Sequence, residues 1–79
     1  MAIAGLLIHS TPEQLPSVVK TVSMMPEITS CHAHGGRCVV AVAEAPPEEL
    51  EESVQSVRAI EGVLAVRTTF LTLDDDSVT

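Results

Sequence analysis

The sequence contains no tryptophan, no tyrosine and no asparagine, and its only aromatic ring is that of Phe70. A core without large rings must be built from Val, Leu, Ile, Ala and Met, and will be small and aliphatic. A sheet that stacks RNA bases needs several exposed rings, so one phenylalanine excludes that mode of recognition. Basic residues are also scarce: Lys20, Arg37, Arg58 and Arg67 stand against eleven acids, for a formal charge of -7. This balance repels phosphate backbones and anionic lipid, which argues against nucleic acid and favours a cationic partner. Acidity alone also serves solubility.

No apolar run approaches the roughly 20 residues needed to cross a bilayer, and no basic stretch followed by a long apolar run opens the chain. The expectation is a cytoplasmic protein with no membrane insertion. Cys31 and Cys38 are too few for a disulfide framework and are expected to remain free thiols. There is no Gly-x-Ser-x-Gly elbow, no Asp-His spacing and no glycine-rich phosphate loop, so nothing in the chain speaks for catalysis.

With 79 residues, the chain suits a single small domain. Residues 3 to 9, Ile-Ala-Gly-Leu-Leu-Ile-His, form a short apolar run that reads as a central strand buried on both faces. Thr11, Pro12 and Gln14 supply an N-cap, a first-turn proline and a capping-box partner, and Leu15, Val18, Val19, Val22 and Met25 follow at helical spacing. Pro16 removes one backbone bond near this start, which predicts a distorted first turn or a start a few residues later. The helix should end before Pro26.

Residues 28 to 33 and 37 to 43 flank Gly35-Gly36, a hairpin signal. A two-residue turn there would place Cys31, Ala33, Cys38, Val40 and Val42 on one face, the expected core. It would leave Ser30, His32, His34, Arg37, Val39 and Ala41 on the other. Pro46 and Pro47 lead into Glu48, Glu49, Glu51 and Glu52, which suit the positive end of a helix dipole, and Leu50, Val54, Val57 and Ile60 supply the apolar stripe. Arg58 falls in the last turn of this helix, and Gly62 where a left-handed C-cap is wanted. Residues 63 to 73 read as a final strand.

The order strand, helix, strand, strand, helix, strand specifies an α+β, ferredoxin-like βαββαβ sandwich with a four-stranded antiparallel sheet. Residues 1 to 73 would form this single domain, and 74 to 79 an acidic polar tail. Two helices cover only one face of such a sheet, so the other stays open to solvent or a partner. On the last strand Val66, Thr68 and Phe70 alternate with Ala65, Arg67, Thr69 and Leu71. The second set is the expected open face, because an unpaired arginine is not buried. With Leu7 and His9 from the first strand, the predicted patch is Leu7, Val39, Ala41 and Leu71 rimmed by His9, His32, His34, Arg37 and Arg67. Its small and medium side chains make a shallow platform for a helix about 10 Å wide, or for a second copy of the chain as a homodimer.

Glu52 to Val66, Glu-Ser-Val-Gln-Ser-Val-Arg-Ala-Ile-Glu-Gly-Val-Leu-Ala-Val, resembles the NapD family, whose second helix runs through a similar Ser-Val-Arg-x-(Val/Ile)-Glu-Gly-Val-Leu-Ala-Val segment. Gly5 to His9, the apolar strand from Cys38 to Glu44 and the acidic tail extend the resemblance. Arg67, Thr68 and Thr69 depart from it, standing where more apolar residues are usual.

The resemblance implies a cytoplasmic chaperone, not an enzyme and without a cofactor. Such a chaperone binds the twin-arginine signal peptide of the periplasmic nitrate reductase catalytic subunit and delays its export until the molybdenum cofactor is inserted. In such proteins the peptide binds as a helix across the sheet surface. The corresponding site here would comprise Leu7, His9, His32, His34, Val39, Ala41, Arg67, Thr69 and Leu71. Glu13, Glu27, Glu44 and Asp74 to Asp76 could attract the peptide's arginines, which Arg37 and Arg67 would repel.

Two other readings share the fold. One is a small ligand-binding regulatory domain of ACT-like type. The other is a soft-metal carrier using Cys31, His32, His34 and Cys38, thiol and imidazole being the usual zinc and copper ligands. Strand alternation speaks against the second, since it is expected to separate the cysteines from the histidines, so no metal is expected. Metal chaperones of this fold carry paired cysteines just after the first strand, where this chain has His9-Ser10-Thr11. Acylphosphatases need an arginine in that loop and an asparagine on the sheet, and this chain supplies neither.

Overall fold

The computed structural model describes residues 1–73, so the acidic tail expected at 74–79 lies outside the described residues. The elements are β1 (Ala2–Ser10), α1 (Leu15–Ser23), β2 (Ile28–His34), β3 (Cys38–Ala45), α2 (Pro47–Arg58) and β4 (Val63–Leu73). All pairings are antiparallel and the sheet order is β2-β3-β1-β4, the ferredoxin-like arrangement. β1 is central, as its apolar run requires, but the helices cover only one of its faces. Leu6 and Ile8 are fully buried, while Ile3, Leu7 and His9 are half-buried.

α1 begins at Leu15 rather than at Pro12, and no side chain caps it. Residues 11 to 14 form a separate turn closed by the Gln14 N–H donating to the Thr11 carbonyl at 3.2 Å. Pro16, which has no N–H, falls within the first helical turn, where that donor has no intrahelical partner to lose. Val18 and Val22 are fully buried, and Leu15, Val19 and Met25 pack around them. α2 begins at Pro47, carries Glu48 and Glu49 in its first turn, and buries Leu50, Ser53 and Val57. Gly62, at φ +96°, turns the chain into β4, and its carbonyl accepts from the Thr11 N–H at 3.0 Å.

α1 packs over β2 and β3, and α2 over β4, β3 and β1. Between helices and sheet lie Ala2, Ala4, Leu6, Ile8, Val39, Ala41, Ala43 and Val66, meeting Val18, Val22, Leu50 and Val57. Each fully buried Leu, Ile or Val contributes roughly 1.5–3 kcal/mol relative to an exposed one, so this thin layer carries most of the fold's stability.

Two registers differ from those expected from sequence. The β2–β3 turn has three residues, Gly35, Gly36 and Arg37, with His34 paired to Cys38. Relative to a two-residue turn this inverts β3: Val39 and Ala41 are fully buried under the helices, while Cys38, Val40 and Val42 are half-buried on the other face. Val39 and Ala41 therefore leave the candidate site, and Cys38, Val40 and Val42 leave the core.

The second difference is on β4, where a register shift between Gly5 and Leu6 sets Thr69 and Phe70 together against Gly5. Beyond it the alternation is reversed. Phe70 stands on the open face, and Leu71, paired with buried Ala4, belongs to the helix side, where it is nevertheless 57% exposed. Leu71 is thus also removed from the candidate site.

Candidate functional site

The uncovered face consists of four rows running across the strands. The first is His34, Cys38, His9 and Ala65; the second is His32, Val40, Leu7 and Arg67. The third is Ser30, Val42, Gly5 and the pair Thr69–Phe70; the fourth is Glu44, Ile3 and Thr72. Of the residues expected at the site, Leu7, His9, His32, His34, Arg67 and Thr69 lie on this face. Val39, Ala41 and Leu71 do not.

The apolar centre is made instead by Ile3, Leu7, Val40, Val42 and Phe70. Sequence reasoning missed Ile3, Val40, Val42 and Phe70. Ile3 could have been found from its spacing of four from Leu7 on one strand, and Phe70 from the glycine inside the β1 pattern. A glycine in a strand interior often marks a bulge or a close approach. A methyl group built on Gly5 would overlap the ring of Phe70 and the hydroxyl of Thr69. The glycine is what allows the single ring of the chain to lie over the sheet.

Polar and charged side chains are distributed unevenly along this face. His34, His9, His32 and Arg67 occupy the first two rows, and exposed Arg37 lies in the adjoining turn, its carbonyl accepting from the Ser10 N–H at 2.8 Å. At the opposite end stands exposed Glu44. Beside it opens a notch of about 360 Å³ whose walls include Met1, Glu27, Glu44, Glu49 and Ser53. The Ser53 hydroxyl donates to the Glu27 carboxylate, which ties the segment before β2 to α2. Glu27 also accepts through its carbonyl from the Glu44 N–H at 2.9 Å, which joins the two backbones at the end of the sheet, while the Glu27 carboxylate itself lies on the helix side with Ser53.

The thiols are separated by the sheet. Cys31, opposite buried Ala41, packs against the core with its Sγ 3.8 Å from the Val19 carbonyl oxygen, and burial pushes its pKa up. Cys38 lies on the open face with its Sγ 3.7 Å from His9 Nδ1. The expectation that alternation divides both cysteines from the histidines is therefore corrected for Cys38, which shares a face with His32 and His34. Among the described residues, no three His, Cys, Asp or Glu side chains converge in a way that could hold a metal ion. No helix of the described residues is long and apolar enough to cross a membrane.

A βαββαβ sandwich with an uncovered sheet, apolar at its centre and graded in charge along its strands, places this chain in the class of open-faced ferredoxin-like domains. A family model described as NapD protein matches residues 1–75, and the chain belongs to the NapD family.

Solved structures agree with the fold. The solution structure of the Escherichia coli Tat proofreading chaperone protein NapD is 22% identical, with a TM-score of 0.74, and the alignment covers 94% of this chain and 80% of that one. A hypothetical protein from Pyrococcus horikoshii is 15% identical, with a TM-score of 0.85 over 99% of this chain and 96% of that one. The ACT domain of the Chlorobium tepidum GTP pyrophosphokinase is 18% identical, with a TM-score of 0.59 over 84% of this chain and 95% of that one. At such identities the likeness is one of fold. No curated protein sequence matches this chain significantly.

Proposed function

We propose that this protein is a cytoplasmic chaperone, without enzymatic turnover, that binds the twin-arginine signal peptide of a periplasmic nitrate reductase catalytic subunit. Binding would withhold the subunit from export until its molybdenum cofactor is in place. Membership of the NapD family supports this reading. The observation that carries it is the apolar centre of Ile3, Leu7, Val40, Val42 and Phe70 on an uncovered face, in a chain of net charge -7. A helical peptide with an apolar segment next to two arginines complements both properties.

The two contributions separate experimentally. Apolar burial contributes roughly 25 cal/mol per Å² before association costs are subtracted, and is nearly indifferent to salt. The attraction between the acidic chain and the arginines is screened as salt rises. Calorimetric titration with a signal peptide, its Arg-Arg to Gln-Gln form and a scrambled form, each at low and high salt, should rank them in that order. The salt dependence should shrink for the glutamine form. Equal affinity for all three would sink the proposal.

A second copy of the chain would compete for the same face. Sedimentation with and without peptide would reveal any homodimer, which peptide should dissociate. The ACT-like alternative rests on fold likeness alone.

A further inference from the structure

Resting on that reading, we infer that the signal peptide lies along the strands with a fixed polarity, its arginine pair at the Glu44 end and its apolar segment running toward His9 and His34. Three observations carry this. First, the basic groups that would repel an arginine pair, Arg67 in the second row and Arg37 in the β2–β3 turn, both lie in the half of the face away from Glu44.

Second, exposed Glu44 closes the last row at the opposite end, while Glu27, whose carboxylate accepts from Ser53 of α2, and Glu49 of α2 stand on the helix side of the notch beside it. Third, apolar side chains run through the last three rows, Ile3 beside Glu44, then Val42 and Phe70, then Leu7 and Val40 beside Arg67. A segment leaving the acidic end meets Ile3, Val42 and Phe70 first, and then Leu7 and Val40.

Dimensions agree. From Ile3 to His9 the face extends about 20 Å at roughly 3.4 Å per residue, the length of about 13 helical residues at 1.5 Å each. An arginine pair followed by an apolar helix of that length therefore fits the face in one direction with complementary charge, and in the other with like charges opposed. Like-charge juxtaposition in the reversed pose and opposite-charge contact in the correct one both favour the same direction.

The test uses the full chain, labelled with ¹⁵N, and two forms of one synthetic peptide carrying an Arg-Arg pair followed by an apolar helical segment. Each form bears a nitroxide, joined through a thioether so that Cys38 cannot exchange with it, before the arginines in one and after the apolar segment in the other. The first should broaden the amide signals of Ile3, Glu44 and Thr72, and the second those of His9, His34 and Cys38. The reverse pattern, or equal broadening of both ends by both labels, overturns the polarity while leaving the chaperone reading intact. Absence of any calorimetric binding by the unlabelled peptide overturns the chaperone reading and the polarity with it. In a second arm, Glu44→Gln should weaken binding several-fold and by more than Arg67→Gln alters it; a several-fold gain for Arg67→Gln with little change for Glu44→Gln rejects the polarity.

Discussion

The ring of Phe70 lies over Gly5, in the space a β-carbon would fill. Two residues of β4, Thr69 and Phe70, face this one residue of β1, so the bulge and the glycine are a matched pair. Gly5→Ala should displace the ring and lower stability by about 1–3 kcal/mol, the usual cost of overpacking. In a Phe70→Ala background part of that cost should disappear, because only the Thr69 hydroxyl then crowds the site. Urea denaturation of the four proteins of this cycle measures the coupling, and additive effects would show that the ring does not depend on the glycine.

The inversion of β3 makes a sharp prediction about neighbouring residues. Val39 and Ala41 are fully buried among the helices, so Val39→Glu or Ala41→Glu would place a carboxylate in an aliphatic layer. That costs several kcal/mol, enough to unfold a domain whose whole stability is of order 5–15 kcal/mol. Val40→Glu instead puts its charge on the half-buried open face, between Leu7 and His32. It should melt cooperatively near the parent temperature and lose at least about tenfold in peptide affinity, since it interrupts the apolar centre. Circular dichroism melting followed by calorimetry distinguishes these, and a folded Val39→Glu protein would reverse the face assignment.

The element order was legible in the sequence because apolar spacing, the prolines before each helix and the glycine turns all act locally. The sides of the strands were not, since each depended on a single residue. Side chains alternate with a period of two, so counting Arg37 into β3 rather than into the turn inverted every position from Cys38 to Ala45. One extra residue at Thr69 likewise exchanged Phe70 and Leu71. Leu7 and His9 were placed on the uncovered face correctly because β1 has no irregularity between them and pairs in continuous register with β3. The candidate site was thus readable at Leu7 and His9 of β1 and on β2, and lost at Ile3, on β3 and at the end of β4, where turn length and bulge are tertiary choices.

The two thiols should differ in chemistry. Burial raises the pKa of Cys31, so at mildly alkaline pH less of it is thiolate, and its packing against the core limits access. Cys38, on the open face beside His9, should be alkylated by iodoacetamide first, with Cys31 slower by about tenfold. Peptide mass spectrometry of a time course reads this directly. Because the folded pKa of Cys31 lies above that of the unfolded chain, its contribution to stability is complete below the unfolded thiol pKa. That contribution is lost as pH rises through the folded value. Cys31→Ala should therefore flatten the alkaline limb of the stability curve, and an unchanged limb would assign it to other groups.

The turn that decides the face of β3 contains two adjacent glycines whose replacement should have opposite effects. Gly35 adopts φ +68°, and a β-carbon there would have no neighbour within 4 Å, so the cost of Gly35→Ala is that of the backbone alone. For an L-residue in the left-handed region this is about 1 kcal/mol, and Gly35→Asn should recover part of it, because asparagine tolerates that conformation better. Gly36 has no positive φ and equally open surroundings. Gly36→Ala therefore adds no clash and restricts the unfolded chain, which should raise stability by about 0.4–1 kcal/mol. Urea midpoints with an unchanged slope would report these differences as stability rather than altered compactness. Losses of equal size at both positions would mean that the left-handed residue of the turn is not confined to Gly35, and the three-residue connection pairing His34 with Cys38 would have to be redrawn.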